Sequence, residues 1–265
     1  MGALHRGHAS LIGQSTGQND VTIASIFVNP TQFNNADDFK KYPRTESADT
    51  DLLAKNKCDL AFIPTVEEVY AEDKLPDLDF GMLDKVMEGK FRPGHFSGVA
   101  TVVHKLFSFV TPDRAYFGEK DFQQIVIVRN MVRLMNLAVE IIGCETIREK
   151  NGLAMSSRNI HLTSQEKKAS SIIFETLIRA GERFRQEDAI ENIIDDSKAM
   201  IDRTGHFSTE YFVIADETSF EEVNHWNKAV RARAFTAVKT SSTRLIDNMA
   251  LYSSSRGNFH NFAGL

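Results

Sequence analysis

Two histidines near the start of the chain have the types and the spacing of a phosphate-binding element. His5 and His8 flank Gly7 in the stretch MGALHRGHASL. If a helix begins here, the spacing predicts that both imidazoles share one face of its first turn, and Gly7 lets another group approach the backbone. A helix N-terminus attracts anions, and imidazoles beside it can donate hydrogen bonds to phosphoryl oxygens. Taken alone, so short a pattern is more often a pair of surface histidines.

A second element of this kind is AYFGEKDFQQ, residues 115–124. Gly118 is expected to permit a tight turn after a short strand, and Lys120 is a point charge suited to a phosphate. Asp121 can cap the following helix or accept hydrogen bonds from ribose hydroxyls, and Gln124 lies one turn later. A capped surface helix with a solvated lysine is the plainer alternative.

The stretch LAMSSRN, residues 153–159, could clamp a phosphate. Ser156 and Ser157 are short hydroxyl donors, and Arg158 adds a fork-shaped cation. An ordinary loop between domains would look the same in sequence.

Two more stretches place polar groups beside apolar ones. In IFVNPTQF (26–33), Asn29 and Gln32 follow a buried strand at the end where parallel sheets bind ligands, with Phe27 and Phe33 as pocket walls. A plain turn is an equally good interpretation. RPGHFSG (92–98) brings Arg92 and His95 into a loop that enters a helix, and we assign these two residues no role.

The elements that must position these residues alternate between short apolar strands and helices. The patterns predict strands at residues 21–30, 58–64 and 138–145, and helices at residues 98–110 and 121–136. This alternation is typical of βαβ units and predicts a Rossmann-like, doubly wound parallel sheet.

The pattern changes near residue 150. Helices are predicted at residues 162–186, with a Thr-Ser-Gln-Glu capping box, and at 187–205, ending at Gly205; strands follow at 208–216, 229–240 and 243–251. We therefore expect three parts: a Rossmann-like domain (1–146), a smaller α+β lid domain (147–251) and a disordered tail (252–265).

Composition limits the class of protein. The 265 residues are 42% hydrophobic and 25% charged, which is ordinary for a globular protein. Because 36 acidic residues outnumber 31 basic ones, a nucleic-acid surface is disfavoured. We see no membrane span and no signal peptide, and Cys58 and Cys144 form no disulfide framework, so we expect a cytoplasmic protein.

Taken together, the motifs resemble those of a known family. H-x-G-H, Lys-Asp and Ser-Ser-Arg in this order resemble the class I nucleotidyltransferase layout. The stretches MGALHRGHASL, SIFVNPTQF, EGKFRPGHFSGVATVV, YFGEKDFQQ and GLAMSSRN resemble the signatures of the pantothenate synthetase (pantoate–β-alanine ligase) family, from residue 1 to about 251. Five motifs in the right order make chance implausible.

The resemblance implies an activity. It is the ATP-dependent condensation of pantoate with β-alanine through pantoyl adenylate, releasing AMP and pyrophosphate, with Mg²⁺, in a homodimer that binds neither nucleic acid nor membrane. It implies catalytic roles for His8 (as proton donor), His5, Lys120 and Arg158. Gln32 and Gln124 would hold pantoate, and Gln32 also β-alanine. The implied ATP contacts are Met1, Gly2, Ala3, Leu4, His5, Arg6, Gly7, His8, Gly118, Glu119, Lys120, Asp121, Ile147, Met155, Ser156, Ser157 and Arg158.

The start of the chain raises an alternative. In the family a first strand precedes the glycine-rich motif, and Met1 is the methionine of that motif. The first strand is therefore expected to be missing, which would open the centre of a doubly wound sheet. An N-terminally truncated, catalytically silent nucleotide-binding protein is then the alternative function. Another adenylylating or cytidylylating transferase of the superfamily is the alternative among enzymes.

Overall fold

Short parallel strands alternate with helices in the first part of the chain. The structure, a computed structural model, describes residues 2–33, 39–40, 42–71, 78–226 and 231–251. The elements here are α1 (Arg6–Thr16), β1 (Ile23–Ser25), α2 (Glu46–Lys55), β2 (Leu60–Phe62), α3 (Val66–Tyr70), α4 (Met87–Phe91), α5 (His95–Val110), β3 (Arg114–Gly118), α6 (Phe122–Leu134) and β4 (Glu140–Cys144). Three 3-10 helices, Pro30–Gln32, Glu119–Asp121 and Ser157–His161, lie in loops.

The strands of this part pair in parallel, as the sequence predicted. β1 pairs with β2, and β3 pairs with β4. Among the described residues these are two separate two-stranded sheets. The α/β class is confirmed, but the first predicted strand is shorter than expected. β1 ends at Ser25, and Asn29 caps the 3-10 helix that starts at Pro30 by accepting a hydrogen bond from the Thr31 amide.

The second part is α+β. It comprises α7 (Ser164–Ala169), α8 (Ser171–Arg185), α9 (Ile190–Asp202), β5 (Ser208–Asp216), β6 (Ala232–Lys239) and β7 (Arg244–Ala250). The three strands form one antiparallel sheet in the order β5-β6-β7, which confirms the predicted antiparallel sheet. No helix within the described ranges is long and apolar enough to cross a membrane.

The single helix predicted at residues 162–186 forms two helices in the structure, α7 and α8. The capping box is present, with Thr163 accepting from the Glu166 amide and Glu166 accepting from the Thr163 amide. The helix nevertheless breaks at Ser170, whose Oγ donates to the Lys167 carbonyl and accepts from the Asn151 side chain. These side-chain bonds compete with the helical backbone pattern, so the polypeptide turns and restarts as α8.

The antiparallel sheet lies between two hydrophobic cores. Along β5, Tyr211 and Ala215 face a core that includes α5 and α6, whereas Phe212 and Ile214 face a core with α8 and α9. Side chains alternate in the same way along β6, of which only Lys239 is exposed. Since both faces are apolar and buried, the sheet packs against the first part of the chain as well as against its own helices.

Candidate active site

The predicted histidine pair begins α1. His5 precedes the helix, and its Nδ1 accepts a hydrogen bond from the Gly7 amide at 3.1 Å. His8 Nδ1 accepts from the His5 amide at 3.3 Å, and the two ring centroids are 4.1 Å apart. A Cβ on Gly7 would lie 2.9 Å from the His5 ring, so the group that glycine admits here is the His5 imidazole.

Both histidines are neutral at ordinary pH. Burial, the neighbouring His5 and Lys120 lower the pKa of His8 to about 3. Burial and Lys120 also lower the pKa of His5. A neutral imidazole keeps one N–H and donates it without carrying charge.

The residues before α1 are held by a buried carboxylate. Asp49 accepts from the Ala3 amide at 2.9 Å and from the Leu4 amide at 2.7 Å, and it is 2% exposed. Ser157 Oγ donates to the Ala3 carbonyl at 3.0 Å. Asp49 was missed by the sequence analysis, because one acidic residue in a polar helix carries no distinguishing signal.

Lys120 lies in the 3-10 turn between β3 and α6. Its Nζ is 3.6 Å from Asp121 Oδ1, and the lysine side chain is 18% exposed. A tight turn follows β3 directly, as predicted, but Gly118 has an ordinary φ of −74° and open space around it, so the turn does not depend on glycine. Asp121 occupies the predicted N-cap position of α6 but makes no side-chain capping bond. The carboxylate of Glu119 lies 3.6 Å from Arg233 Nη2.

The segment with Ser156 to Arg158 crosses over the start of α1. Ser156 Oγ accepts from the Arg158 amide at 3.3 Å, which begins the 3-10 helix. The Arg158 guanidinium lies 5.4 Å from the centre of the Tyr42 ring. Ser156, Ser157 and Arg158 thereby line the same cleft as the histidine pair.

Gln32, Arg92 and His95 form one cluster. Arg92 Nη2 donates to the Gln32 carbonyl at 3.2 Å, and His95 Nδ1 lies 2.9 Å from the same oxygen. Burial and Arg92 lower the pKa of His95 to about 4. Asn29, by contrast, is buried; its amide donates to the Gly98 carbonyl and accepts from Tyr70. Asn29 therefore supports the loop from outside the cleft.

These groups line a single cleft of about 240 Å³. Its walls are His5, Gly7, His8, Leu11, Gln32, Phe33, Tyr42, Arg92, His95, Gly118, Lys120, Asp121, Gln124, Glu145, Thr146, Ile147, Met155, Ser156, Ser157 and Arg158. Five predicted ATP contacts are not in the lining: Gly2, Ala3, Leu4, Arg6 and Glu119; Met1 lies outside the described residues. Phe33 is a wall as expected, whereas Phe27 packs in the core.

A smaller cavity of about 90 Å³ adjoins the cleft and shares five lining residues with it: Arg92, Lys120, Asp121, Ser156 and Arg158. On its far side Glu88 accepts from Arg244 at 2.6 and 2.7 Å and from the Tyr211 hydroxyl at 2.7 Å. Burial alone would raise the pKa of Glu88, but these hydrogen bonds hold it well below its ordinary value.

A divalent cation has limited protein ligands here. Among the described residues no group of three or more His, Cys, Asp and Glu side chains could hold a metal ion. Asp121 is a half-exposed carboxylate on the cleft wall, and Mg²⁺ prefers one or two carboxylates together with phosphate oxygens and water. The donor set therefore fits an ion that arrives with a nucleotide.

Comparisons with known proteins agree with this geometry. The model of the pantoate-beta-alanine ligase family matches residues 1–250. The pantothenate synthetase of Azobacteroides pseudotrichonymphae is 48% identical, over 94% of this chain and 89% of that protein. That of Bacteroides fragilis strain YCH46 is 45% identical, over 94% and 88%.

Solved structures agree as well. A pantothenate synthetase from Thermus thermophilus superposes with a TM-score of 0.90 at 38% identity, covering 96% of this chain and 91% of that one. A pantoate-beta-alanine ligase from Francisella tularensis, complexed with beta-gamma ATP and beta-alanine, gives 0.79 at 36% identity, covering 95% and 87%. This chain belongs to the pantoate–β-alanine ligase family.

Proposed function

We propose that this protein joins pantoate to β-alanine at the expense of ATP, forming pantothenate, AMP and pyrophosphate through pantoyl adenylate. The observation that carries the proposal is the cleft itself, because the histidine pair, Lys120, Arg158 and two glutamines, Gln32 and Gln124, all line it. Membership of the family supports the same reaction.

In the first step a pantoate carboxylate oxygen attacks the α-phosphorus of ATP, and pyrophosphate leaves. Gln32 and Gln124 hold pantoate, because amides can both donate to its carboxylate and accept from its hydroxyls. Lys120, Arg158 and the histidine N–H groups stabilise charge as it develops on the phosphates. In the ligand-free cleft, burial holds the pKa of His8 at about 3, so His8 enters this step as a neutral imidazole that donates a hydrogen bond.

In the second step the β-alanine amine attacks the acyl carbon, loses a proton, and AMP leaves. Gln32 also contacts the incoming β-alanine. Holding both reactants in one cleft makes each step effectively intramolecular.

The nucleotide is held along the rest of the cleft. Gly118 and Asp121 contact the ribose, and Ile147 contacts the adenine. Ser156 and Ser157 bind phosphate with Met155 beside them. Asp121 is the carboxylate that would hold a Mg²⁺ ion arriving with ATP, and the ion would supply charge neutralisation at the departing pyrophosphate.

The division of labour along the chain is part of the proposal. Residues 1–146 bind ATP and pantoate, and residues 147–251 cover the cleft and protect the adenylate from water.

We also propose that the protein is a cytoplasmic homodimer. Support comes from the exposed apolar side chains Leu60 and Phe109 near β2, and from the free thiols Cys58 and Cys144.

The test is AMP formation by the purified chain with Mg²⁺ and ATP. We expect AMP only when both pantoate and β-alanine are present, and ATP–pyrophosphate exchange with pantoate alone. ATP binding without AMP or exchange would instead favour the catalytically silent nucleotide-binding protein. AMP formation that ignores pantoate but follows another acid would favour a different adenylylating transferase.

A further inference from the structure

Strand β7 carries polar side chains that reach out of its own sheet. Arg244 binds Glu88 on α4, and Asp247 binds Arg148 at 2.5 and 3.0 Å. Asn248 donates from Nδ2 to the carbonyls of Glu119 and Lys120, both at 2.9 Å. One strand remote in sequence thus contacts three segments that border the cleft.

The orientation of the Asn248 amide is fixed by its neighbour. Arg233 Nη1 donates to Asn248 Oδ1 at 2.5 Å, and arginine has no acceptor to offer. The amide oxygen must therefore face Arg233, and both N–H groups face the turn. Arg233 is itself held by Glu217 Oε1 at 2.7 Å and lies 3.9 Å from the Phe122 ring centre.

The turn that Asn248 grips carries Lys120. This turn is a three-residue 3-10 helix, and no side-chain capping bond fixes its start at Gly118 or the start of α6 at Asp121. Asn248 is 5% exposed, so its two hydrogen bonds are made away from water and are costly to lose. The platform behind them is the antiparallel sheet packed between two cores.

We propose that Asn248 is a positioning residue that holds the Lys120 ammonium in register with the phosphates of ATP. This inference rests on the proposed function. Asn248 touches no reacting group. Its loss lets the turn shift, and a displacement of about 1 Å can cost about 100-fold in rate. The effect is confined to adenylate formation, because β-alanine attack on preformed pantoyl adenylate does not need the pyrophosphate to be held.

The main test is Asn248→Asp, which keeps the shape and the Arg233 partner but turns a carboxylate oxygen toward two carbonyls. We expect KM for ATP to rise about 10-fold and adenylate formation to slow roughly 10- to 100-fold, with β-alanine attack on preformed adenylate changed less than about 3-fold. Thr236→Val is the matched control. It removes a buried hydrogen bond of the same sheet, from Thr236 Oγ1 to the Tyr211 carbonyl, and is expected to lower the unfolding temperature only.

A double variant separates positioning from general damage. If Asn248 acts through Lys120, then Lys120→Ala combined with Asn248→Asp is no slower than Lys120→Ala alone. If the rate losses of the two single variants multiply in the double variant, the inference is overturned. It is also overturned if Asn248→Asp stays within about 2-fold of wild type in KM for ATP and in the rate of adenylate formation. If Asn248→Asp does not fold, Asn248→Ala, which adds no charge, carries the same comparison.

Failure of the proposed function has a different signature. Wild-type protein that makes no AMP overturns that function whatever the variants do. The inference about Asn248 is then decided by calorimetry with ATP alone, where Asn248→Asp must weaken binding and Thr236→Val must not.

Discussion

The tautomers of His5 and His8 follow from their backbone partners. Each Nδ1 accepts from an amide, Gly7 for His5 and His5 for His8, so each ring carries its hydrogen on Nε2. Both rings line the cleft, so we expect these N–H groups to donate to a phosphate. The Nδ1 atoms keep the chain in the shape that starts α1, and the Nε2 atoms are left for chemistry.

Two substitutions of His8 separate these tasks. His8→Asn keeps an acceptor near the position of Nδ1 but loses the Nε2 donor, whereas His8→Gln keeps a donor near Nε2 and loses the acceptor. We expect His8→Asn to slow adenylate formation about 100-fold with little change in unfolding temperature. His8→Gln should keep more activity and lose about 1 kcal/mol of stability. Rapid-quench assays and thermal unfolding measure the two effects, and equal rate losses in both variants would contradict the assignment.

Most of the cleft residues could be recognised from sequence because they occur in compact motifs. His5, His8, Lys120 and Arg158 all line the cleft. Tyr42, by contrast, lies there without any local pattern, because only the path of the chain brings it near Arg158. Glu119 belongs to a motif, but the partner of its side chain, Arg233, is far away in the sequence.

Among the elements, the contact between α5 and the 3-10 helix at Pro30–Gln32 controls where Gln32 lies. A Cβ on Gly98 would approach the Thr31 carbonyl oxygen to 2.6 Å and the Gln32 nitrogen to 3.1 Å. Because backbone atoms cannot rotate away as a side chain can, the whole turn must move to admit even a methyl group.

Gly98→Ala is therefore expected to raise KM for pantoate by about 10-fold or more, with a smaller change in KM for ATP. The matched control is Gly13→Ala in α1, where a Cβ would meet nothing within 4 Å. That change should leave both constants alone and raise stability by about 0.5–1 kcal/mol, because alanine loses less backbone entropy in a helix. Steady-state kinetics measure the two KM values, and urea unfolding measures stability. An unchanged KM for pantoate in Gly98→Ala would contradict the prediction that this contact positions Gln32.

Element type was easier to predict than element ends. Periodicity identified α6 and the three antiparallel strands, since long amphipathic or alternating segments leave a repeated signal. The break at Ser170 was not predicted because it depends on Asn151, which the fold brings to it. In the same way, the contacts of Asn248 with the 119–120 carbonyls join residues far apart in sequence, so no local pattern predicts them.

Across the whole molecule, buried histidines set how stability responds to acid. His8 and His95 have pKa values of about 3 and about 4, held down mainly by burial, against 6.5 for an exposed imidazole. Between about pH 6.5 and 4.5 the unfolded chain binds protons at these positions and the folded chain does not. The free energy of unfolding therefore falls with pH, by about 1.4 kcal/mol per pH unit for each histidine.

This acid slope can be tested apart from the carboxylates. Glu88 has a lowered pKa, so the stability that its ionised form contributes is lost only as pH falls below about 4.5. That loss lies outside the range of about pH 6.5 to 4.5 in which the histidines act. Urea unfolding of the ligand-free protein at about pH 7.5, 6.5, 5.5 and 4.5 should show a steep loss in wild type. The double variant His8→Asn, His95→Asn should lose about 4 kcal/mol less over the lower two units. His5, whose pKa is also lowered, is present in both proteins, so the difference between the curves reports mainly on the two replaced rings. Parallel curves would mean that these two rings take up protons in the folded state.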